Sequence, residues 1–148
     1  MEDFLKTVNK TKFSNSPYAK KVPKPWGYEL IFTTEDSPYT FKLMHIKAGK
    51  RQSLQVHDQK VETYYLASGK GGMLSENNKG ELVMVEFEPD KGYTTQVGQK
   101  HRLLGITDCD ILEGSTPESG NTYRLEDDYS RPTETEKMRK DPNRGWNG

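Results

Sequence analysis

Gly49-Lys-Arg-Gln-Ser-Leu-Gln55-Val-His57-Asp-Gln-Lys-Val-Glu62-Thr-Tyr-Tyr-Leu-Ala-Ser-Gly69 reads as two short strands joined by a turn and bracketed by glycines. Ser53 to His57 alternates, and Glu62 to Ala67 is rich in β-formers and stops at Gly69. Side chains at i and i+2 of a strand share a face, so Gln55 and His57 aim into one space. Glu62 opens the next strand and can face back toward them. His101, from a distant strand, is the candidate that completes four ligands. Nitrogen and oxygen donors of this kind suit zinc, iron, manganese or nickel, and soft thiolate chemistry is absent. The alternatives are a surface pair for His57 and Glu62, Gln59 or water in place of Gln55, and a capped turn histidine for His101.

Outward from this stretch the strand signals continue. Tyr28 to Phe32, Phe41 to Ile46, Gly71 to Ser75 and Glu81 to Phe87 all carry them. So do Tyr93 to Val97, His101 to Leu104, Asp110 to Glu113 and Tyr123 to Leu125. Roughly ten short strands at regular turn spacing, without a long helix, predict an all-β sandwich or barrel, and the period alone does not choose between them. His45 alternates with Phe41 and Leu43 and is read as packing. Trp26 and Tyr28 are read as core or dimer-interface residues, and Cys109 as a small buried apolar residue. Residues 1–22 read as a polar arm and 23–131 as one domain. Residues 132–148 read as a charged tail with two prolines, lying outside the core.

Composition narrows the function classes. The 148 residues are one domain's worth, able to bury roughly two-thirds of the unfolded surface without disulfides. Lys+Arg and Asp+Glu are 22 each, so no global field points to nucleic acid or to an anionic membrane. Only 31% of residues are hydrophobic. The single cysteine makes no internal disulfide, no stretch approaches the ~20 apolar residues of a membrane span, and the N-terminus does not read as a signal peptide. A cytoplasmic protein is expected.

The quoted stretch resembles the first motif of the cupins: Gly, five residues, His-x-His, three or four residues, Glu, six residues, Gly. Here Gly49, five residues, Gln55-x-His57, four residues, Glu62, six residues and Gly69 keep every spacing, with Gln in place of the first His. The second motif is similar to Gln96-Val97-Gly98-Gln99-Lys100-His101, without its proline. Five further blocks, in order, resemble the cupin domain of type II mannose-6-phosphate isomerases. They are Lys24-Pro-Trp-Gly-Tyr-Glu29, Gly49 to Gln55, Lys100-His-Arg-Leu103, Gly114-Ser-Thr-Pro-Glu118 and Arg124-Leu-Glu-Asp-Asp-Tyr129. The Gln55-Val56-His57 pair also resembles the Gln-x-His metal pair of type I phosphomannose isomerases.

The resemblance implies a single-domain cupin, a β jelly-roll barrel. It implies one divalent metal on Gln55, His57, Glu62 and His101, zinc first, with iron, manganese or nickel also suited. It implies a homodimer paired through edge strands. The expected function is a metal-dependent sugar-phosphate isomerase with a small carbohydrate substrate. Lys42, which aligns with a family lysine, and Glu62 are the catalytic candidates. Arg51, Lys100 and Arg102 are the candidate phosphate-binding cations. The alternative is a cupin that binds a sugar or sugar nucleotide without turning it over. An oxygen-using iron cupin ranks last, because such sites carry more histidine than the three in this chain. Arg124 to Tyr129 reads alternatively as a structural lock on the barrel.

Overall fold

The computed structural model describes residues 1–144 and 146. Eleven strands run β1 (Lys20–Lys24), β2 (Gly27–Ile31), β3 (Thr40–Ile46), β4 (Leu54–His57), β5 (Glu62–Ser68) and β6 (Gly71–Glu76). They continue as β7 (Leu82–Glu86), β8 (Tyr93–Thr95), β9 (His101–Gly105), β10 (Cys109–Ser115) and β11 (Thr122–Glu126). A short helix α1 (Glu2–Thr7) precedes them and buries nothing. The strands form two antiparallel sheets, ordered β1-β2-β3-β10-β5-β8 and β11-β4-β9-β6-β7. This is the all-β class expected from the strand pattern and the jelly roll that the cupin resemblance implies. Among the described residues no helix is long and apolar enough to cross a membrane.

Ten of the eleven strands coincide with the sequence reading to within a few residues. β1 is the addition. Its Lys-Lys-Val-Pro-Lys composition hides it, but it is an edge strand, where a proline removes no ladder bond. Only Val22 of β1 is fully buried.

The period-2 rule sorts the barrel into two ends. On β3 the inward residues are Thr40, Lys42, Met44 and Ile46; on β10 they are Cys109, Ile111 and Glu113; on β5 they are Glu62, Tyr64 and Leu66. Register places Ile111 between Met44 and Leu66, and Glu113 between Lys42 and Tyr64. One end is therefore apolar, built on Trp26, Met44, Ile46, Met73, Leu103 and Ile111. The other end receives the charged residues. His45 lies on the outer face, stacked on Tyr28 at 5.0 Å and bonded to Asp110 at 2.7 Å. Cys109 is buried in the apolar end.

The tail does more than its composition suggests. Glu134 bridges to Thr122 through reciprocal backbone bonds of 2.9 Å, so the chain covers the free edge of β11. A 3-10 turn (Met138–Lys140) follows, and Glu134, Arg139 and Arg144 are buried. Charge alone predicts a solvated tail; the structure seats these three side chains against the charged end of the barrel.

The two glycines that bracket the deciding stretch both take φ +73°, a left-handed conformation that a side chain resists. They differ in surroundings. A Cβ on Gly69 would meet the Asp108 carbonyl oxygen at 2.1 Å, whereas one on Gly49 would meet nothing within 4 Å. Gly49→Ala is thus expected to cost about 1 kcal/mol and Gly69→Ala at least about 3 kcal/mol, read from urea unfolding. Equal costs would contradict this packing.

Candidate metal centre

His57 closes β4, Glu62 opens β5 and His101 opens β9, so three strand ends meet at the charged end of the barrel. Gln55 sits directly across from His101 in the ladder. The parity that turns Gln55 and His57 to one face is the one read from the sequence.

The three donor atoms lie within 4.8 Å of one another. Glu62 Oε1 is 2.7 Å from His57 Nε2 and 3.2 Å from His101 Nε2. His101 Nδ1 donates to the Gln99 carbonyl at 2.8 Å, which leaves Nε2 with a lone pair in the neutral ring. Despite these short separations, neither Glu62 Oε1 nor His101 Nε2 has a hydrogen-bond partner among the described residues, and both are buried. Two buried acceptors facing each other repel unless a cation lies between them. A divalent ion fits this donor set.

The surrounding groups hold the ligands in the required state. Burial pushes the His57 imidazole toward its neutral form, against the opposing pull of Glu62. Its Nδ1 pairs with Thr122 Oγ1 at 2.9 Å, and Thr122 Oγ1 also accepts from Arg139 Nη2 at 3.0 Å. With the arginine donating, the hydroxyl oxygen can take the His57 Nδ1–H as well, which frees Nε2 to ligate. Burial alone would raise the Glu62 carboxyl, but the Lys60 ammonium outweighs it and holds Glu62 ionised. Lys60 Nζ takes the second oxygen, Oε2, at 3.2 Å, leaving Oε1 to the histidines. Gln55 Oε1 accepts from Ser53 Oγ at 2.8 Å, while its Nε2 lies 3.5 Å from His57 Nε2. A half-turn of the amide would present the oxygen to the trio, and the Ser53 hydroxyl would then accept from Nε2.

Behind the trio lies a lattice of buried charges. Lys42 Nζ is 3.2 Å from Glu29 Oε1, 3.6 Å from Glu113 Oε2 and 3.0 Å from Glu118 Oε1. Lys60 Nζ is 3.6 Å from the same Glu113 oxygen and 3.1 Å from the same Glu118 oxygen. Burial disfavours both ammonium groups, yet their carboxylate neighbours more than compensate, so both stay protonated. Glu29 is held down to about 2: burial works the other way, and Lys42 overcomes it. Burial and the nearby Glu62 charge raise Glu113 well above the carboxylate range, so it keeps its proton. The space between these groups is a cavity of about 40 Å³, room for a few waters.

The sequence-predicted residues divide cleanly. Gln55, His57, Glu62 and His101 come together, and Lys42 lines the cavity as a bound cation. Arg51, Lys100 and Arg102 lie outside the cavity lining. His101 faces inward, so its neighbours Lys100 and Arg102 face away. Arg102 Nε donates to the Gln52 carbonyl at 2.9 Å, and Arg51 forks onto Asp128 at 2.7 and 2.8 Å. Arg51 ties down Asp128 after β11, and Arg102 reaches Glu126 at 3.5 Å and Asp128 at 3.9 Å, contacts that suit the lock reading of Arg124 to Tyr129. Sequence reasoning missed Glu29, Glu113, Thr122, Glu134, Arg139 and Arg144. Glu29 and Glu113 carry a signal, a charged residue on the inward parity of Ile31 and Ile111. The tail residues carry none.

No family model matches the chain. It is 26% identical over 137 residues to the xanthan biosynthesis protein XanB of Xanthomonas campestris pv. campestris, in strains ATCC 33913 and B100. The alignment covers 88% of this chain and 28% of that protein, so the chain spans about a quarter of these relatives. Among solved structures, an oxalate decarboxylase variant from Bacillus subtilis superposes with TM-score 0.64 at 17% identity, over 77% of this chain and 33% of that one. The capsular polysaccharide assembling protein CapF of Staphylococcus aureus gives 0.58 at 22% identity, over 83% and 35%. Both neighbours contain the cupin fold, and this chain folds as a single cupin jelly roll.

Thr122→Val keeps the shape but removes the oxygen that His57 Nδ1 and Arg139 Nη2 share. Zinc affinity, measured by competition with a chelating dye, is expected to fall about 10–100-fold. Unchanged affinity would contradict the orienting role.

Proposed function

We propose that this cupin is a divalent-metal-dependent aldose–ketose isomerase of the mannose-6-phosphate type, acting on a small sugar phosphate that feeds polysaccharide synthesis. The observation that carries the reading is the buried His57–Glu62–His101 trio set beside a cavity wall with excess positive charge. Seven cations and five carboxylates line that cavity. Arg131 is matched by Asp127, and Glu113 keeps its proton, which leaves six cations facing four carboxylates. An anionic sugar suits such a wall. The likeness to a xanthan biosynthesis protein and to a capsular polysaccharide assembling protein supports a carbohydrate role.

A metal ion held by His57, Glu62, His101 and the Gln55 oxygen would polarise the sugar carbonyl and stabilise negative charge on its oxygen. The chain's own groups then have defined parts. Lys60 and Lys42 are protonated donors at fixed positions beside Glu62 and Glu113. Moving a proton between adjacent carbons needs one group that accepts and one that donates. Glu113, protonated beside Lys42 and Lys60, is the candidate donor, while Glu62, with Lys60 on one oxygen and the metal on the other, serves as ligand rather than as base. In this assignment Lys42 is a charge-stabilising cation, because the Glu29 and Glu118 carboxylates keep it from acting as a base. A homodimer accompanies the proposal; the exposed Leu82, Val83 and Met84 of edge strand β7 offer it a surface.

A second reading has its own support. The inner cavity is only about 40 Å³ and its lysines are fully engaged, as in a module that binds sugar at its mouth without turnover. The test is incubation of the protein with mannose 6-phosphate and zinc, manganese, nickel or ferrous iron, following fructose 6-phosphate. Product that disappears on chelation and in His57→Ala is expected. Calorimetric binding without product would favour the second reading; neither binding nor product with any of the metals would contradict both.

A further inference from the structure

The tail and the barrel together build a second charged cluster, outside the metal trio. Four cations surround one carboxylate, Glu134. Arg124 Nη2 is 3.2 Å and Lys24 Nζ 4.0 Å from its Oε2; Arg139 Nε is 3.2 Å and Arg144 Nη1 3.8 Å from its Oε1. Glu118 is the next acid, 2.8 Å from Arg144 and 3.5 Å from Arg139, but it also serves Lys42 and Lys60. Glu29 also acts on Lys24 and Arg144 but is bound to Lys42 at 3.2 Å, so among the described residues the cluster's cations outnumber the acids that serve them.

It is also short of acceptors. Among the described residues, Arg124 Nε, Arg139 Nη1 and Arg144 Nε are buried N–H donors with no partner. The Arg139 and Arg144 residues are 6% and 8% exposed, so water does not substitute freely. A buried guanidinium donor left unmade is costly, and three in one cluster point to a missing acceptor. Arg139 and Arg144 line both the inner cavity and an outer one of about 230 Å³, which opens toward Tyr18 and Thr34. Lys24 and Arg124 line only the inner one, so an anion held by all four cations takes the place of the Glu134 carboxylate, with the outer space as its way in.

We propose that Arg124, Arg139 and Arg144, with Lys24, form a phosphate site, and that Glu134 is the chain's own carboxylate competing for it. A phosphate dianion brings two charges and several acceptor oxygens to guanidinium groups whose planar forks suit them. The site adjoins the trio through Arg139, whose Nη2 holds the Thr122 hydroxyl against His57. That the phosphate belongs to a sugar rests on the isomerase reading; the anion site does not. Two of its three arginines come from the tail, so the segment that reads as a solvated appendage contributes to ligand recognition.

The experiment is calorimetric titration of the full chain, without added metal, with inorganic phosphate at low ionic strength. Wild type is compared with Arg139→Gln, Arg144→Gln, Glu134→Gln and, as a control, Lys79→Gln in an exposed turn. One saturable site is expected, at least tenfold weaker in each arginine variant, several-fold tighter in Glu134→Gln and unchanged in Lys79→Gln. Thermal melting checks that each variant folds. If an arginine variant does not fold, Glu134→Gln decides by itself, because only a competing carboxylate makes its removal tighten binding. No phosphate binding by wild type, or equal affinity in wild type and Glu134→Gln, overturns the proposal. The isomerase reading fails separately. Phosphate held by the arginines in a protein that never turns over mannose 6-phosphate sinks that reading and keeps this one, and turnover with KM unmoved in Arg144→Gln does the reverse.

Discussion

Glu62 Oε1 faces the nitrogens of two histidines in the buried wall of a cavity that holds only a few waters. The His101 side of that contact has no proton to share, since the ring spends its own on the Gln99 carbonyl. A bare arrangement of this kind raises the energy of the fold. Much else at the charged end keeps the arrangement in place: Lys60 on the far oxygen, Thr122 behind His57, Arg139 behind Thr122. A cation between the three donors turns the same geometry from a cost into a binding site.

The charged lattice around the trio makes sense in the same terms. Burying Lys42, Lys60, Glu29, Glu113 and Glu118 together gives little net stability, because desolvation offsets most of the attraction. An apolar barrel end would be the simpler way to hold these strands. What the lattice supplies is fixed charge in fixed protonation states: two ammonium groups, an ionised carboxylate and a neutral one within a few ångströms of the ligands. The apolar end, from Trp26 to Ile111, provides the packing that lets the other end be so polar.

Much of this is legible in the sequence, and the reasons are specific. Strands show because β-formers alternate between turn residues, and much of the site shows because parity and spacing bring Gln55, His57 and Glu62 to one space. β1 is hidden because an edge strand tolerates Lys and Pro. Arg51, Lys100 and Arg102 are misplaced when nearness in sequence stands for nearness in space; parity turns Lys100 and Arg102 away from His101's side. Glu113 was readable, as a carboxyl on the inward face of its strand. Arg139 and Arg144 were not, because nothing in a charged, proline-containing tail says that its side chains return to a barrel whose own charges attract them.

The central claim is that the trio holds a metal, and elemental analysis of protein purified without added metal tests it most directly, alongside a His57→Ala, Glu62→Ala double variant. The account predicts about one equivalent of zinc, iron, manganese or nickel in the wild type and loss of that metal in the folded variant. A wild-type protein that carries no metal and takes up none on titration would contradict it.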